Sequence, residues 1–261
     1  MKASHNRVDT QLSKKVVNEC ASVKVTTLVD NNVWKRGLSS SWGLSFFVEI
    51  ISEEAQHIIL MDTSGSSDAL FKNGARLGVN LSNIEAIFIS HWHLDHCGAL
   101  SIVLPLLRQQ TPVYVPCESF SGIKEIRAAG GTPIICSDPM FLMEEVMSTG
   151  EIGGSISEHA LVINIRDKGL VVLSGCAHPG IVSIVKRAQQ ASGISKVYAV
   201  MGGFHISSKG EGVKVAEFFR ELDVKLVSPC HCTGVDAKST IADFLKSNYV
   251  ENGSGKVISI Y

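Results

Sequence analysis

The early chain reads as short strands and the later chain alternates strand with helix. Apolar and polar positions alternate over 23–29 (VKVTTLV), the period-two signature of a half-buried strand. Apolar runs at 44–51 (LSFFVEII), 58–63 (IILMDT) and 84–89 (IEAIFI) predict three more strands. Further strands are expected at 113–115, 134–135, 160–166, 170–173, 197–201 and 226–228. Helical spacing predicts helices at 68–78, 98–108, 121–129, 180–192, 212–222 and 236–247, with Pro105 interrupting the second or ending its first turns. Two sheets with helices outside them accommodate this order as an α/β (α+β) fold. The expected organisation is an N-terminal extension over 1–21 and one domain over 22–261. The Pro- and Gly-marked region 133–157 reads as an insertion or mobile lid.

The strand 84–89 runs directly into Ser90-His91-Trp92-His93-Leu94-Asp95-His96-Cys97-Gly98. Three imidazoles and a carboxylate within six positions after a strand are the chemistry of a metal site, because a loop can fold all four donors around one point. A His-rich surface loop is the competing explanation, but H-x-H-x-D-H arises by chance in roughly one chain in a thousand. The donor set suits zinc first, with iron or manganese also compatible. Asp95 beside His96 can serve a second ion.

Two more histidines sit in the same setting, between a strand's end and a helix's start: His178 in Ser174-Gly175-Cys176-Ala177-His178-Pro179-Gly180, and His231 in Pro229-Cys230-His231-Cys232-Thr233-Gly234. Cys176 competes with His178 as a ligand, because a thiolate also binds zinc, although a free cysteine is often simply packed. Cys230 and Cys232 flank His231, and an extended backbone there would turn both sulfurs away from the imidazole. His205 ends Met201-Gly202-Gly203-Phe204-His205 and is placed to contact substrate or to serve a structural role. Asp62, at a strand's end, is expected to orient the metal loop. His5, His57 and His159 lie outside such settings.

Composition narrows the classes. Among 261 residues, 45% are hydrophobic, 19% are charged and the net charge is −1, so no global charge favours nucleic acid or an anionic membrane. The start of the chain has no apolar signal-like run, no later run reaches transmembrane length, and seven cysteines without a C-x-x-C pair suggest reduced thiols. The expectation is a cytoplasmic protein with a small-molecule substrate and no nucleic-acid or membrane partner.

The H-x-H-x-D-H segment, with the strand and turn Ile59 to Gly65, resembles the metallo-β-lactamase superfamily over about residues 22–250. That resemblance implies a four-layer αβ/βα sandwich holding two divalent ions at one edge. One ion would take His91, His93 and His178; the other would take Asp95, His96 and His231. Gly43-Leu44-Ser45-Phe46, Ser174 to His178, Gly202 to His205 and His231 to Gly234 resemble a subgroup of archaeal and bacterial proteins that includes dihydropterin synthases of methanopterin biosynthesis. Two departures stand out: Ser41-Trp42 replaces an acidic residue and a histidine, and Cys176 stands where the superfamily carries a bridging aspartate. The implied activity is hydrolysis of a small phosphorylated or acyl substrate by a dinuclear-metal-bound hydroxide, with Asp95 and His205 as catalytic residues. The alternatives are a pterin-joining transferase and a non-catalytic metal-binding or redox protein. An exported β-lactamase is not expected without a signal peptide.

Overall fold

The computed structural model of the chain describes residues 17–53 and 55–261. Strands β1 (Ser22–Val29), β2 (Ser45–Ile51) and β3 (Gln56–Met61) form an antiparallel meander. Helix α1 (Ser67–Leu77) leads to β4 (Ala86–Phe88), the short turns α2 (Leu94–Cys97) and α3 (Leu100–Val103), β5 (Pro112–Val115), α4 (Phe120–Ala128) and β6 (Thr132–Ile135). Strands β3 to β6 pair in parallel. The chain then crosses to a second sheet through β7 (Met140–Met143), β8 (Val146–Ser148), β9 (Leu161–Ile165) and β10 (Gly169–Ser174). Helix α5 (Ile181–Ser192), β11 (Val197–Gly203), α6 (Lys209–Glu221), β12 (Leu226–Cys230) and α7 (Val235–Leu245) follow, and β13 (Val257–Ile260) returns to pair with β1. The two sheets have the orders β13-β1-β2-β3-β4-β5-β6 and β12-β11-β10-β9-β8-β7.

Period-two alternation sets the layers. Phe46, Val48 and Ile50 of β2 pack between the sheets with Val171 and Leu173 of β10, whereas Phe47 faces the opposite way, into the cluster under α1, α3 and α4. Leu170 and Val172 likewise face outward onto α5, α6 and α7. The result is the expected helix, sheet, sheet, helix sandwich. A fully buried Phe46 or Leu173 contributes roughly 1.5–3 kcal/mol over its exposed form.

Local chemistry explains where elements depart from the sequence pattern. Ser66 caps α1 and Gly78 closes it in the left-handed region. A capping box between Ser208 and Glu211 starts α6 at Lys209, before the apolar periodicity begins. The single helix expected over 98–108 is instead broken into α3 and a 3₁₀ turn, Leu104–Leu106. Pro105 lacks the amide that would continue the helix.

Residues 1–16 of the expected extension lie outside the described residues. Residues 17–21 pack on the domain: Val17 is buried against the outer face of the second sheet, Cys20 bridges to Ile165, and the Ala21 amide donates to Ile51. The region 133–157 contains most of β6 and all of β7 and β8, so much of it consists of paired strands. No helix among the described residues is long and apolar enough to cross a membrane.

Candidate metal centre

Parallel pairing of β3 with β4, and of β11 with both β10 and β12, aligns the C-terminal ends of these strands. Asp62 follows β3, His91 follows β4, the segment 175–178 follows β10, His205 follows β11 and His231 follows β12. At this edge Asp62, Ser64, Ala177, His205 and His231 all adopt left-handed φ values between 49° and 62°. Non-glycine residues in that region cost of order 1 kcal/mol or more each and persist only where surroundings over-determine them.

The structure brings all six predicted donors together. The ligand atoms of His91, His93 and His178 lie within 4.8 Å of one another, and so do those of Asp95, His96 and His231. Asp95 and His96 ride on the helical turn α2 rather than on an irregular loop, with His93 at its N-cap position. His91 and His96 are fully buried, His231 nearly so, and His93 is exposed.

Four histidines have Nδ1 engaged by an acceptor pointing away from the centre. His91 Nδ1 is 3.0 Å from Ser90 Oγ, His96 Nδ1 is 2.6 Å from Asp62 Oδ2, His178 Nδ1 is 2.9 Å from Glu158 Oε2, and His231 Nδ1 is 3.1 Å from Asn31 Oδ1. With the proton on Nδ1, each ring offers its Nε2 lone pair inward. His96 Nε2 faces His231 Nε2 at 3.1 Å, and His91 Nε2 faces His93 Nδ1 at the same distance. Such acceptor pairs are reconciled by a shared cation, so the donor set fits divalent metal on its own chemistry.

Electrostatics divide the four rings: the Glu158 carboxylate raises His178, and against burial the Asp95 hydrogen bond and nearby negative charge raise His231, so a metal would have to displace their second proton. Burial, reinforced by neighbouring imidazoles, lowers His91 to about 2 and His96 to about 3, so both are neutral. Burial pushes Asp95 up, but the hydrogen bond from His231 and the neighbouring His96 and His231 rings outweigh it and hold the carboxyl below its usual range. Asp95 Oδ2 is 3.3 Å from His231 Nε2.

The supporting residues include one anticipated from sequence and three that were not. Asp62 accepts from the Ser90 amide at 2.7 Å and the Ser90 hydroxyl at 2.8 Å besides meeting His96, which fixes the start of the metal loop. Glu158, fully buried, accepts from the amides of Cys176, Ala177 and His178 at 2.9, 2.8 and 2.9 Å. Asp30 accepts from the His231 amide at 2.8 Å, and Asn31 Nδ2 donates to the His231 carbonyl at 3.0 Å. The available signals were Asp-Asn-Asn at the end of β1 and a lone glutamate between apolar stretches.

The thiols divide. Cys230 is buried between the sheets. Cys232 does not point away as an extended backbone would direct it: His231 at φ 51° turns the chain, and the Cys232 sulfur lies within 4.8 Å of the ligand atoms of Cys176 and His231. Cys176 Sγ is 3.2 Å from His96 Nε2 and groups with His91 and His96. Its neighbour Cys232 and burial both push the Cys176 thiol up. His205 is exposed, and its ring lies 4.6 Å from that of His178.

The centre opens into a cavity of about 370 Å³ lined by Trp42, His93, Asp95, Cys176, His178, His205, His231 and Cys232. Of the unassigned histidines, His159 is buried, bonded to Ser148 and Ile89 and stacked on Phe88 at 3.9 Å. His57 pairs with Glu85 on the surface. His5 lies outside the described residues.

The sequence model of the metallo-β-lactamase superfamily matches residues 44–110. A curated protein of Methanocaldococcus jannaschii, 7,8-dihydropterin-6-methyl-4-(β-D-ribofuranosyl)-aminobenzene-5′-phosphate synthase, is 29% identical over 93% of this chain and 98% of its own. The crystal structure of Tm1679, a metal-dependent hydrolase of the β-lactamase superfamily, superposes with a TM-score of 0.72 at 24% identity, covering 90% of this chain and 98% of that one. The metallo-β-lactamase fold protein YhfI of Bacillus subtilis superposes with a TM-score of 0.63 at 12% identity, covering 92% and 99%. The resemblance read from the H-x-H-x-D-H motif is borne out, and the fold is that of this superfamily.

Proposed function

We propose that this chain, a metallo-β-lactamase-fold protein, is a metal-dependent hydrolase acting on a small phosphorylated or acyl substrate. The observation that carries the reading is the pair of donor triplets, with four of their imidazoles oriented by hydrogen-bond acceptors, at the floor of an open cavity. His91, His93 and His178 would hold one divalent ion, and Asp95, His96 and His231 a second, with zinc the best match to the donors. Bound there, the ions would supply Lewis acidity and lower the pKa of coordinated water to about 7. The protein's part is orientation and charge. Asp62, Glu158 and Asn31 hold the imidazoles in one tautomer. Asp95, ionised and partly open to the cavity, can accept a hydrogen bond from the attacking group. His205 stands at the mouth, where it can hold a proton for the leaving group. Helices α5 and α7 begin within four residues of His178 and His231, and their positive N-terminal ends favour an anionic substrate.

The similarity to the archaeal synthase favours a second reading, a pterin-joining transferase using the same donors. One screen separates the two. Metal-loaded protein is offered phosphodiesters, thioesters and lactones, and separately a dihydropterin pyrophosphate with an aminobenzene acceptor. Under the hydrolase reading the first set turns over, and Asp95→Asn loses most of the rate, at least about a hundredfold, while keeping its fold. Undiminished hydrolysis in Asp95→Asn overturns the assigned role, and turnover confined to the pterin pair replaces hydrolysis with transfer.

A further inference from the structure

Of the eight residues lining the cavity, seven carry an imidazole, a carboxylate or a thiol, and Trp42 alone brings a large apolar plane. Its side chain remains 67% exposed, an unusual disposition for an indole in a chain with an ample core. The other two tryptophans have structural partners. Trp34 lies under the Lys256 ammonium at 4.1 Å, and Trp92 donates to the Cys117 carbonyl at 3.0 Å. Trp42 instead faces the metal centre, its ring 5.5 Å from that of His231 and tilted by 53°.

The backbone around Trp42 is fixed to the centre on both sides. The Ser41 amide donates to the Asp30 carbonyl at 3.2 Å, the Gly43 amide to Asn31 Oδ1 at 3.1 Å, and the Leu44 amide to the Asp95 carbonyl at 3.1 Å. Gly43 has φ +136° and sits so close to the Asp95 carbonyl that a side chain there would collide with it. Asp30, Asn31 and Asp95 are the residues that position His231 or stand beside it. The indole is therefore registered against the donor triplets and not carried on a free loop. A rigid aromatic face held beside a reaction centre gives its largest gain to a flat partner, because stacking needs matched planes and costs little conformational entropy.

We infer that Trp42 is the specificity wall of the site, stacking on a planar, conjugated ring of the substrate and so selecting an aromatic or heteroaromatic compound whose anionic group reaches the metal centre. The inference rests on the metal-centre reading above and adds the substrate class.

Two phosphonates with the same charge and the same metal-seeking group, phenylphosphonate and cyclohexylphosphonate, differ in planarity and cannot be hydrolysed. Calorimetric titration of the zinc-loaded protein with each isolates the wall from turnover. The wild type is expected to bind phenylphosphonate roughly twofold to tenfold more tightly, the size of an aromatic stacking gain. In Trp42→Leu the ratio should fall to about one, with zinc content and cyclohexylphosphonate affinity unchanged, and Trp42→Phe should restore most of the preference. A merely structural Trp42 would instead move both affinities or the zinc content together. No planar preference in the wild type, no binding of either phosphonate, or a preference that survives Trp42→Leu overturns the inference. The hydrolase reading is scored separately, by turnover of the ester panel, so a Trp42-dependent preference without hydrolysis keeps the wall and removes the hydrolase.

Discussion

Removal of the Glu158 carboxylate should loosen the metal centre without touching a ligand. Glu158 is fully buried and accepts four N–H groups, the amides of Cys176, Ala177 and His178 and the Nδ1 proton of His178, all between 2.8 and 2.9 Å. In Glu158→Ala these donors lose their partner where water has little access. One buried donor left unpaired costs about 1–3 kcal/mol. The losses share one carboxylate and do not simply add, so a total of about 3–5 kcal/mol is expected, the range for breaking a buried charged pair. For a domain of this size, that lowers the melting temperature by roughly 6–15 °C. Glu158→Gln keeps the shape but turns a donor amide toward donors, and should recover only part of the loss. The turn over 175–178 carries a left-handed Ala177, a conformation that the three amide contacts hold in place. Its release should free the His178 ring and lower metal content by about one ion per chain. Thermal unfolding of metal-free protein and elemental analysis after loading read the two effects separately. A Glu158→Ala variant that melts within about 2 °C of wild type and binds its full metal would refute the reasoning.

The thiol and imidazole of the same turn can be told apart by metal content: Cys176→Ser should retain its ions because six other donors remain, whereas His178→Ala should lose about one. The reverse outcome makes the Cys176 thiolate a ligand, and a sulfur-to-metal charge-transfer band in the cobalt-loaded wild type would identify it. Acid sensitivity should trace in part to His159, which burial lowers from 6.5 to about 3 while the Ile89 carbonyl and Glu158 oppose the shift. Its ring is neutral in the fold and charged in the unfolded chain below pH 6.5, so stability is lost as pH falls through 6.5 toward 3 and amounts to about 2 kcal/mol at pH 5. Urea unfolding of metal-free protein at pH 7.5 and 5 should show that much less acid loss in His159→Gln; an equal loss in both proteins removes His159 as the cause.

The two-sheet architecture and the ligand candidates were legible in the sequence because both are written in short-range patterns. Period-two alternation in β2 and β10 set their inner and outer faces, and the histidines fell at strand ends where parallel pairing had to bring them together. What stayed hidden depends on contacts distant in sequence. Glu158 meets His178 across twenty positions, and Asp30 meets the His231 amide across 201. Neither carries a local motif, because a buried carboxylate that accepts amides has no periodicity to display. The region around Glu158 read as a lid for the same reason: its Pro and Gly residues mark turns, while the strand pairings of β7 and β8 depend on partners elsewhere. The direction of Cys232 was missed because a left-handed φ at a histidine cannot be read from residue type.

Those hidden contacts and the strained backbone are one feature. Ala177 and His231 both adopt left-handed conformations at an intrinsic cost of order 1 kcal/mol or more each. At each of them a buried carboxylate takes up the amide that the turn exposes: Glu158 at Ala177 and Asp30 at His231. His205, also left-handed, is exposed, and no equivalent carboxylate contact to its amide is seen among the described residues. The difference tracks the proposed division of labour. The turns that carry His178 and His231 are each locked by a charged acceptor, whereas His205 at the mouth meets the Cys232 sulfur through its amide and its ring. Asp95 and Glu158, both held below the usual carboxylate range beside His231 and His178, would supply negative charge to offset divalent metal in a largely buried site. The five donor imidazoles carry no negative charge and could not offset it alone.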